Sequence, residues 1–258
     1  MSASLLAVEG LTVRFGGLTA LRGFTFRLRE GEMVGLIGPN GSGKTTFFNA
    51  LTGIYRPATG RIGLRGRDIT GLAPQRIYAA GITRTFQRLR LNLELSVFDN
   101  LMIGNHRHLS HGLSSNVFLR SRLRRQVEEN LGRARALLRR FSAPLADRLF
   151  DPVGRLPMID RRRVEVCRAL ISDPALLLLD EPSAGMTHEE TRALMDDLMA
   201  SREESPALAI VLIEHEMGVI ERVTGRCLVL NHGETIAEGS YREVAVDPKV
   251  RAAYLGEE

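Results

Sequence analysis

Gly38-Pro39-Asn40-Gly41-Ser42-Gly43-Lys44-Thr45-Thr46 carries the spacing G-x-x-x-x-G-K-[ST] in full. Glycines at these positions allow a tight loop whose backbone N–H groups turn inward toward phosphate oxygens. Lys44 adds a positive charge for the β- and γ-phosphates, and Thr45 offers a hydroxyl to Mg²⁺. A helix starting at Lys44 adds its positive end. Further along, Asp180 and Glu181 close the apolar run Ala175 to Leu179. On its own such an acidic pair leaves a helix cap open as an alternative. Behind a phosphate loop it reads as chemistry. Asp180 is placed to hold Mg²⁺ through a water, and Glu181 to polarise a water for attack on the γ-phosphate. The reaction these residues point to is hydrolysis of ATP.

Both groups need a sheet to hold them. Met33 to Gly38 is continuously apolar, as in a strand buried on both faces of a parallel sheet, and it runs straight into the glycine loop. The spacing predicts a helix over Lys44 to Leu51. "ALLLLDEP" and "AIVLIEH" read as two more buried strands ending in charged residues. Upstream, "LAVEGLTVRF" and "FTFRLR" alternate apolar and polar, punctuated by Gly16-Gly17 and Glu30-Gly31. "GRIGLRGRDIT" and "RCLVLNHGETIAEG" read as further strand pairs, the second joined by an Asn-His-Gly turn.

Between these stretches the texture is helical. Leu123, Val127, Leu131, Ala134, Leu138 and Phe141 recur at helical spacing with Arg and Glu between them. "SHGLSSN", Ser110 to Asn116, reads as a loop. The expected fold class is α/β. It has a P-loop NTPase core with a mostly parallel sheet, an N-terminal antiparallel β subdomain and an inserted helical subdomain. One domain spans 1–258, with 1–92 and 163–258 as the core and 93–162 as the insertion.

With 258 residues, 44% of them hydrophobic and 25% charged, the chain is sized for one such domain with its insertion. The net charge of +5 admits an anionic partner but reads first as a solvated Arg-rich face. Cys167 and Cys227 have no metal-ligand spacing, and Cys167 reads as a buried structural thiol in a reducing compartment. "MSASLLAVEG" lacks the basic start and long apolar stretch of a signal peptide. No apolar run approaches the ~20 residues of a membrane span. Work at a membrane would need other chains to cross it.

In order and spacing these motifs resemble the nucleotide-binding subunits of ABC transporters, over nearly the whole chain. The resemblance implies ATP and Mg²⁺ as cofactors and assigns further residues. Phe15 in "VRFGGL" matches an aromatic that stacks on adenine. Gln87 in "TRTFQ" matches a glutamine that senses Mg²⁺ and the membrane partner. His215 in "IVLIEHEM" matches a histidine on the γ-phosphate, and "SAGM", Ser183 to Met186, a loop that crosses a dimer. The catalytic set is then Lys44, Gln87, Glu181 and His215. Phe15 and Gly38 through Thr46 hold nucleotide, and Thr45, Gln87 and Asp180 serve the metal. A lone Phe is usually core, and a lone Gln or His usually surface; only their order around Lys44 and Asp180 gives them roles.

Within the family, "RFGGLTAL", "GITRTFQ", "EPSAGM", "IEHEM" and "AYLG" are similar to subunits that energise uptake of branched-chain amino acids. Related importers carry urea, short amides or aromatic acids. The implied partners are a second ATPase subunit with an intact signature, two transmembrane permease subunits and, indirectly, a periplasmic or extracellular solute-binding protein. The implied place is the cytoplasmic face of the inner or plasma membrane. Phe86, Leu89, Leu91 and Leu93 are candidate contacts to the membrane subunits, with core packing equally open to them. Two rival readings are a soluble ABC-type ATPase acting on nucleic acid or ribosomes, and an export or lipid-handling ATPase. The basic "RSRLRRQ" favours the first weakly; without aromatic–basic interleaving, no nucleic acid is expected.

One motif departs. Where the family carries LSGGQ or a close variant, this chain has Leu156-Pro157-Met158-Ile159-Asp160. Pro157 has neither hydroxyl nor N–H, Ile159 is β-branched where a backbone must come close, and Asp160 brings a negative charge toward an anion. The loop still has neighbouring backbone amides to offer. The expectation is asymmetry: a competent site of this chain's own, and a weak face offered to a partner's ATP. A heterodimeric pair follows from it.

Overall fold

The computed structural model describes residues 4–108 and 120–255. The expected loop at Ser110 to Asn116 lies outside the described residues, as does the side chain of Leu123. Ten strands form two sheets among the described residues.

The first sheet is antiparallel. Strand β1 (Ser4–Phe15) turns through Gly16 and Gly17 into β2 (Leu18–Arg29), with Phe15 opposite Leu18. β4 (Thr59–Leu64) pairs with the other edge of β1, and β5 (Arg67–Asp68) with β4. Phe24, Phe26 and Leu28 of β2 face inward while Thr25, Arg27 and Arg29 face out, as the period of two requires.

The second sheet has the order β10-β9-β3-β8-β7-β6. Its members are β3 (Met33–Ile37), β6 (Ile82–Arg84), β7 (Leu176–Asp180), β8 (Ala209–Ile213), β9 (Arg226–Asn231) and β10 (Glu234–Gly239). All pairings are parallel except that of β10 with β9, a hairpin through His232 and Gly233. Every residue of β3, β7 and β8 is buried, which is what their continuous apolar runs demand. Leu178 sits in the middle of β7 with no exposure. Leu178→Ala should lower the unfolding free energy by about 2–5 kcal/mol. A shifted urea midpoint at unchanged slope is the measurement.

The helices are α1 (Lys44–Leu51), α2 (Pro74–Ala80), α3 (Val97–Gly104), α4 (Arg120–Phe141), α5 (Ala143–Asp147), α6 (Met158–Leu170), α7 (His188–Glu203), α8 (Met217–Val223), α9 (Tyr241–Val246) and α10 (Pro248–Leu255). By contact density the chain divides into two compact units. The first takes the chain up to Arg84, then Ala175–Pro182, then Pro206 onward, and holds both sheets. In its core the rings of Phe24 and Phe26 on β2 pack against Phe47 of α1, seating the phosphate-loop helix on the antiparallel sheet. The second unit takes Thr85–Pro174 and Ser183–Ser205 and is helical. The segment 93–162, read from sequence as an insertion, lies within it.

The apolar face of α4 is buried at Ala134, Leu138 and Phe141, but Val127 is 43% exposed. Packing begins one turn later, where Asn130 is buried and its amide oxygen accepts from Asn105 Nδ2 at 2.9 Å. Both cysteines are free and buried. Burial pushes the Cys167 thiol well above the usual range, which leaves it inert.

Candidate nucleotide site

The parallel sheet brings three chain segments to the carboxyl ends of adjacent strands: the loop after β3, the acids ending β7, and the turn after β8. That end of an open α/β sheet is where ligands bind.

The loop after β3 is bent by Gly38, Gly41 and Gly43, with φ of 146°, 78° and 110°. A Cβ on Gly38 would lie 2.0 Å from the Leu230 carbonyl oxygen, so no other residue fits there. Asn40 and Thr45 are exposed, and Pro39 and Thr46 half-buried. Ser42 is buried, and its backbone is fixed on both sides. The Ser42 N–H donates to Pro39 O at 3.2 Å, and the Gly233 N–H donates to Ser42 O at 2.9 Å. Helix α1 begins after Gly43 with no side-chain cap and no acid in its first turn, which leaves its leading amides to an anion. The buried Lys44 ammonium donates to Gly38 O at 2.7 Å and to Pro39 O at 2.9 Å. Burial lowers its pKa, and the charges of Glu181 and Asp180 oppose that shift.

Asp180 is buried at the end of β7. Its carboxylate accepts from Arg84 Nη2 at 2.5 Å, and Arg84 Nη1 donates to Asn49 Oδ1 at 2.6 Å. The guanidinium also stands 5.3 Å from the Phe48 ring centre. Glu181 follows in the left-handed backbone region, φ 49°, held there by its N–H donating to Ile213 O at 2.9 Å. A glutamate in that region stores strain of about 1–3 kcal/mol. Its Oε1 lies 2.8 Å from His215 Nε2. Lys44, Asp180, Glu181 and His215 are thus gathered in the first unit. Thr45 and Asp180 offer a hydroxyl and a carboxylate, hard oxygen donors of the kind Mg²⁺ takes alongside phosphate oxygens and waters.

Phe15 is exposed at the end of β1, edge-on to Tyr55 with ring centres 4.9 Å apart. Its hairpin is seated against the phosphate loop: a Cβ on Gly43 would lie 2.8 Å from Ala20 O. Gln87 belongs to the second unit, where its carbonyl accepts from Arg162 Nη2 at 3.2 Å.

The Leu156–Asp160 stretch also lies in the second unit. Pro157 precedes α6 without a side-chain cap, and Arg161 N–H donates to Pro157 O at 3.1 Å. Arg161 Nε and Nη2 donate to Leu156 O and Gly154 O at 2.9 and 2.7 Å, pinning the loop from behind. Asp160 does not present a bare charge. Its Oδ1 accepts from Arg163 Nη1 at 3.0 Å, and Arg163 Nε also donates to Asp197 Oδ2 at 2.8 Å. Asp160 shares that guanidinium with Asp197, so the repulsion expected from sequence is reduced and not cancelled; the missing hydroxyl of Pro157 has no such offset.

Sequence reasoning passed over three residues at the site. Arg84 stands in "TRTFQ" beside Gln87, and a charged residue ending a short strand was its only signal. Gly233 clamps Ser42 and accepts from Arg22 N–H at 2.9 Å through its carbonyl. Tyr254, in the closing "AYLG", hydrogen-bonds the backbone of Gly38; burial raises its pKa and that bond opposes the shift.

A phosphate loop leaving the central strand of a mostly parallel sheet, with an acid pair ending a nearby strand, defines a P-loop nucleotide hydrolase. A profile described as ABC transporter matches residues 21–184, and one described as branched-chain amino acid ATP-binding cassette transporter matches 234–258. The chain belongs to the ABC transporter family, as an ATP-binding cassette. It is 43% identical over 257 residues to the high-affinity branched-chain amino acid transport ATP-binding protein LivG of Salmonella typhimurium, covering 100% of each chain. It is 38% identical to BraF of Pseudomonas aeruginosa, of the same description, again over 100% of each. A crystal structure of an ATP-binding cassette of an ABC transporter in its ADP conformation superposes with a TM-score of 0.84 at 28% identity, covering 99% of this chain and 100% of that one.

Proposed function

We propose that this chain hydrolyses ATP to drive an importer of branched-chain amino acids or of related small polar, amide or aromatic-acid solutes. The observation that carries the chemistry is the strained Glu181, paired with His215 beside the Lys44 loop. The full-length likeness to LivG and BraF supports the cargo class.

The loop amides from Gly38 to Thr46 and the start of α1 cradle the phosphates, and Lys44 neutralises the charge that grows on the leaving oxygen. Phe15 offers its exposed face to the adenine. Glu181 accepts a proton from the water that attacks the γ-phosphorus, as the bond to ADP breaks. His215 holds Glu181 in line and reaches the γ-phosphate. Thr45 and Asp180 would hold Mg²⁺, which would supply charge neutralisation at the phosphates. Arg84 keeps the Asp180 carboxylate in place.

Among the described residues no helix is long and apolar enough to cross a membrane. The proposed assembly supplies two permease subunits, with the chain at their cytoplasmic face, and a second ATPase subunit with an intact signature. A solute-binding protein acts indirectly. The rival readings, action on nucleic acid or ribosomes and lipid export, find no support in these relatives. Affinity capture of the tagged chain from membranes should bring down permease subunits, and vesicles rebuilt from them should take up labelled leucine only with ATP. Capture of RNA instead, with affinity falling steeply as salt rises, would sink the proposal.

A further inference from the structure

Asp180 is matched by a buried cation. Arg84, the last residue of β6, donates through Nη2 to Asp180 Oδ2 at 2.5 Å, and each side chain is only 4% exposed. Helix α1 also holds the guanidinium. Nη1 donates to Asn49 Oδ1 at 2.6 Å, and the Phe48 ring centre lies 5.3 Å from the guanidinium carbon. Asn49 and Phe48 stand on the helix that opens at the phosphate loop. Arg84 is therefore enclosed and pinned against the carboxylate that ends β7.

A buried ion pair is generally no more stabilising than apolar residues of the same volume, so stability is a poor reason for this one. Its charge has a consequence at the site. Lys44 and Arg84 bring two positive charges, and Asp180 and Glu181 two negative ones, so these four side chains sum to zero without nucleotide. Mg²⁺ gives up its water reluctantly and takes charged oxygens in exchange. Arriving alone, it meets a carboxylate whose charge is already matched by a guanidinium in contact with it. ATP changes that balance, because its phosphate oxygens carry charge of their own.

We propose that Arg84 is a positioning residue that gives Asp180 a standing counter-charge and so keeps divalent cations out of the site until a nucleotide brings phosphate ligands for them. The inference rests on the ATP-site reading above, with Asp180 toward the metal. It assigns Arg84 a role in the order of loading, beyond holding a carboxylate still.

Electron paramagnetic resonance of Mn²⁺ added to the full chain, with and without ATP, tests it. Without ATP the unsubstituted chain should take up no Mn²⁺ at micromolar concentrations; with ATP it should bind one ion. Arg84→Gln keeps a donor for the carboxylate but removes the charge. It should bind Mn²⁺ without ATP about 10-fold or more tightly than the unsubstituted chain, because one unit charge beside the carboxylate is gone. The factor by which ATP improves Mn²⁺ binding should shrink accordingly. Arg84→Lys, which keeps the charge, should exclude the free ion as the unsubstituted chain does. Arg84→Gln/Asp180→Asn should lose the acquired binding. Melting temperature gives a second readout: Mn²⁺ alone should raise it in Arg84→Gln and leave the unsubstituted chain unchanged. Equal Mn²⁺ affinity in Arg84→Gln and the unsubstituted chain overturns the proposal. So does acquired binding that survives Asp180→Asn. An Arg84→Gln chain that fails to fold with or without metal also overturns it, because the guanidinium would then be holding the fold. Absence of ATP-dependent Mn²⁺ binding in the unsubstituted chain would instead overturn the ATP-site reading, and this inference with it.

Discussion

Glu181→Gln, in the transporter assembled with its partner subunits, should lower ATP turnover by about 100- to 10,000-fold. ATP affinity should barely change. The amide keeps the size of the carboxylate but cannot take a proton from water. It also keeps an oxygen for His215, whose ring lies 2.8 Å from the carboxylate, and the left-handed backbone at position 181 is set by the N–H bond to Ile213 rather than by the side chain. Single-turnover hydrolysis and equilibrium ATP binding, measured on the same preparation, separate the two effects. Turnover near that of the unsubstituted transporter would remove Glu181 from the mechanism.

Lys44→Met should fail earlier, at binding. The ammonium is buried, and its pKa is drawn down by that burial against the opposing charges of Glu181 and Asp180. Phosphates add negative charge that favours its protonated form, so the side chain is poised to exchange the carbonyls of Gly38 and Pro39 for phosphate oxygens. Without it, two acids face a polyanion with one fewer counter-charge. Loss of such a positioned cation costs about 100- to 1000-fold in turnover. Titration calorimetry should show a larger loss of affinity for ATP than for ADP, because the missing contact is to the β- and γ-phosphates. Equal losses for both nucleotides would place Lys44 elsewhere.

Much of this site is legible in the sequence because its parts are local. The apolar runs of β3, β7 and β8 announce strands buried on both faces, and each leads into residues of the proposed site. The helix expected over Lys44 to Leu51 has those bounds, and the Asn-His-Gly turn joins β9 to β10 as its residue types require. What sequence could not show is pairing across distance. Arg84 and Asp180 are 96 positions apart, and no periodicity links them. Arg162 gathers Gln87, Ala184 and Glu165 from three segments, and Arg163 is shared between Asp160 and Asp197 on α7. Val127 lies on the helix its spacing indicated, and its exposure has a related reason: spacing reports which residues share a helix face, not where along the helix a neighbour begins to cover it.

The same geometry sharpens the meaning of Leu156–Asp160. The acid there is paired, and the loop is pinned by Arg161, so the stretch is an ordered helix start. Its deficit is chemical, the absence of a hydroxyl at Pro157. The central claim is therefore that this chain owns a complete hydrolytic site and needs another subunit's signature to use it. Steady-state ATP hydrolysis by the pure full-length chain, set beside that of the assembled transporter, tests this most directly. The account predicts that the pure chain binds ATP but turns it over about 100-fold or more slower, the scale of one lost transition-state donor. A pure chain that forms a homodimer hydrolysing ATP as fast as the complete assembly would contradict it.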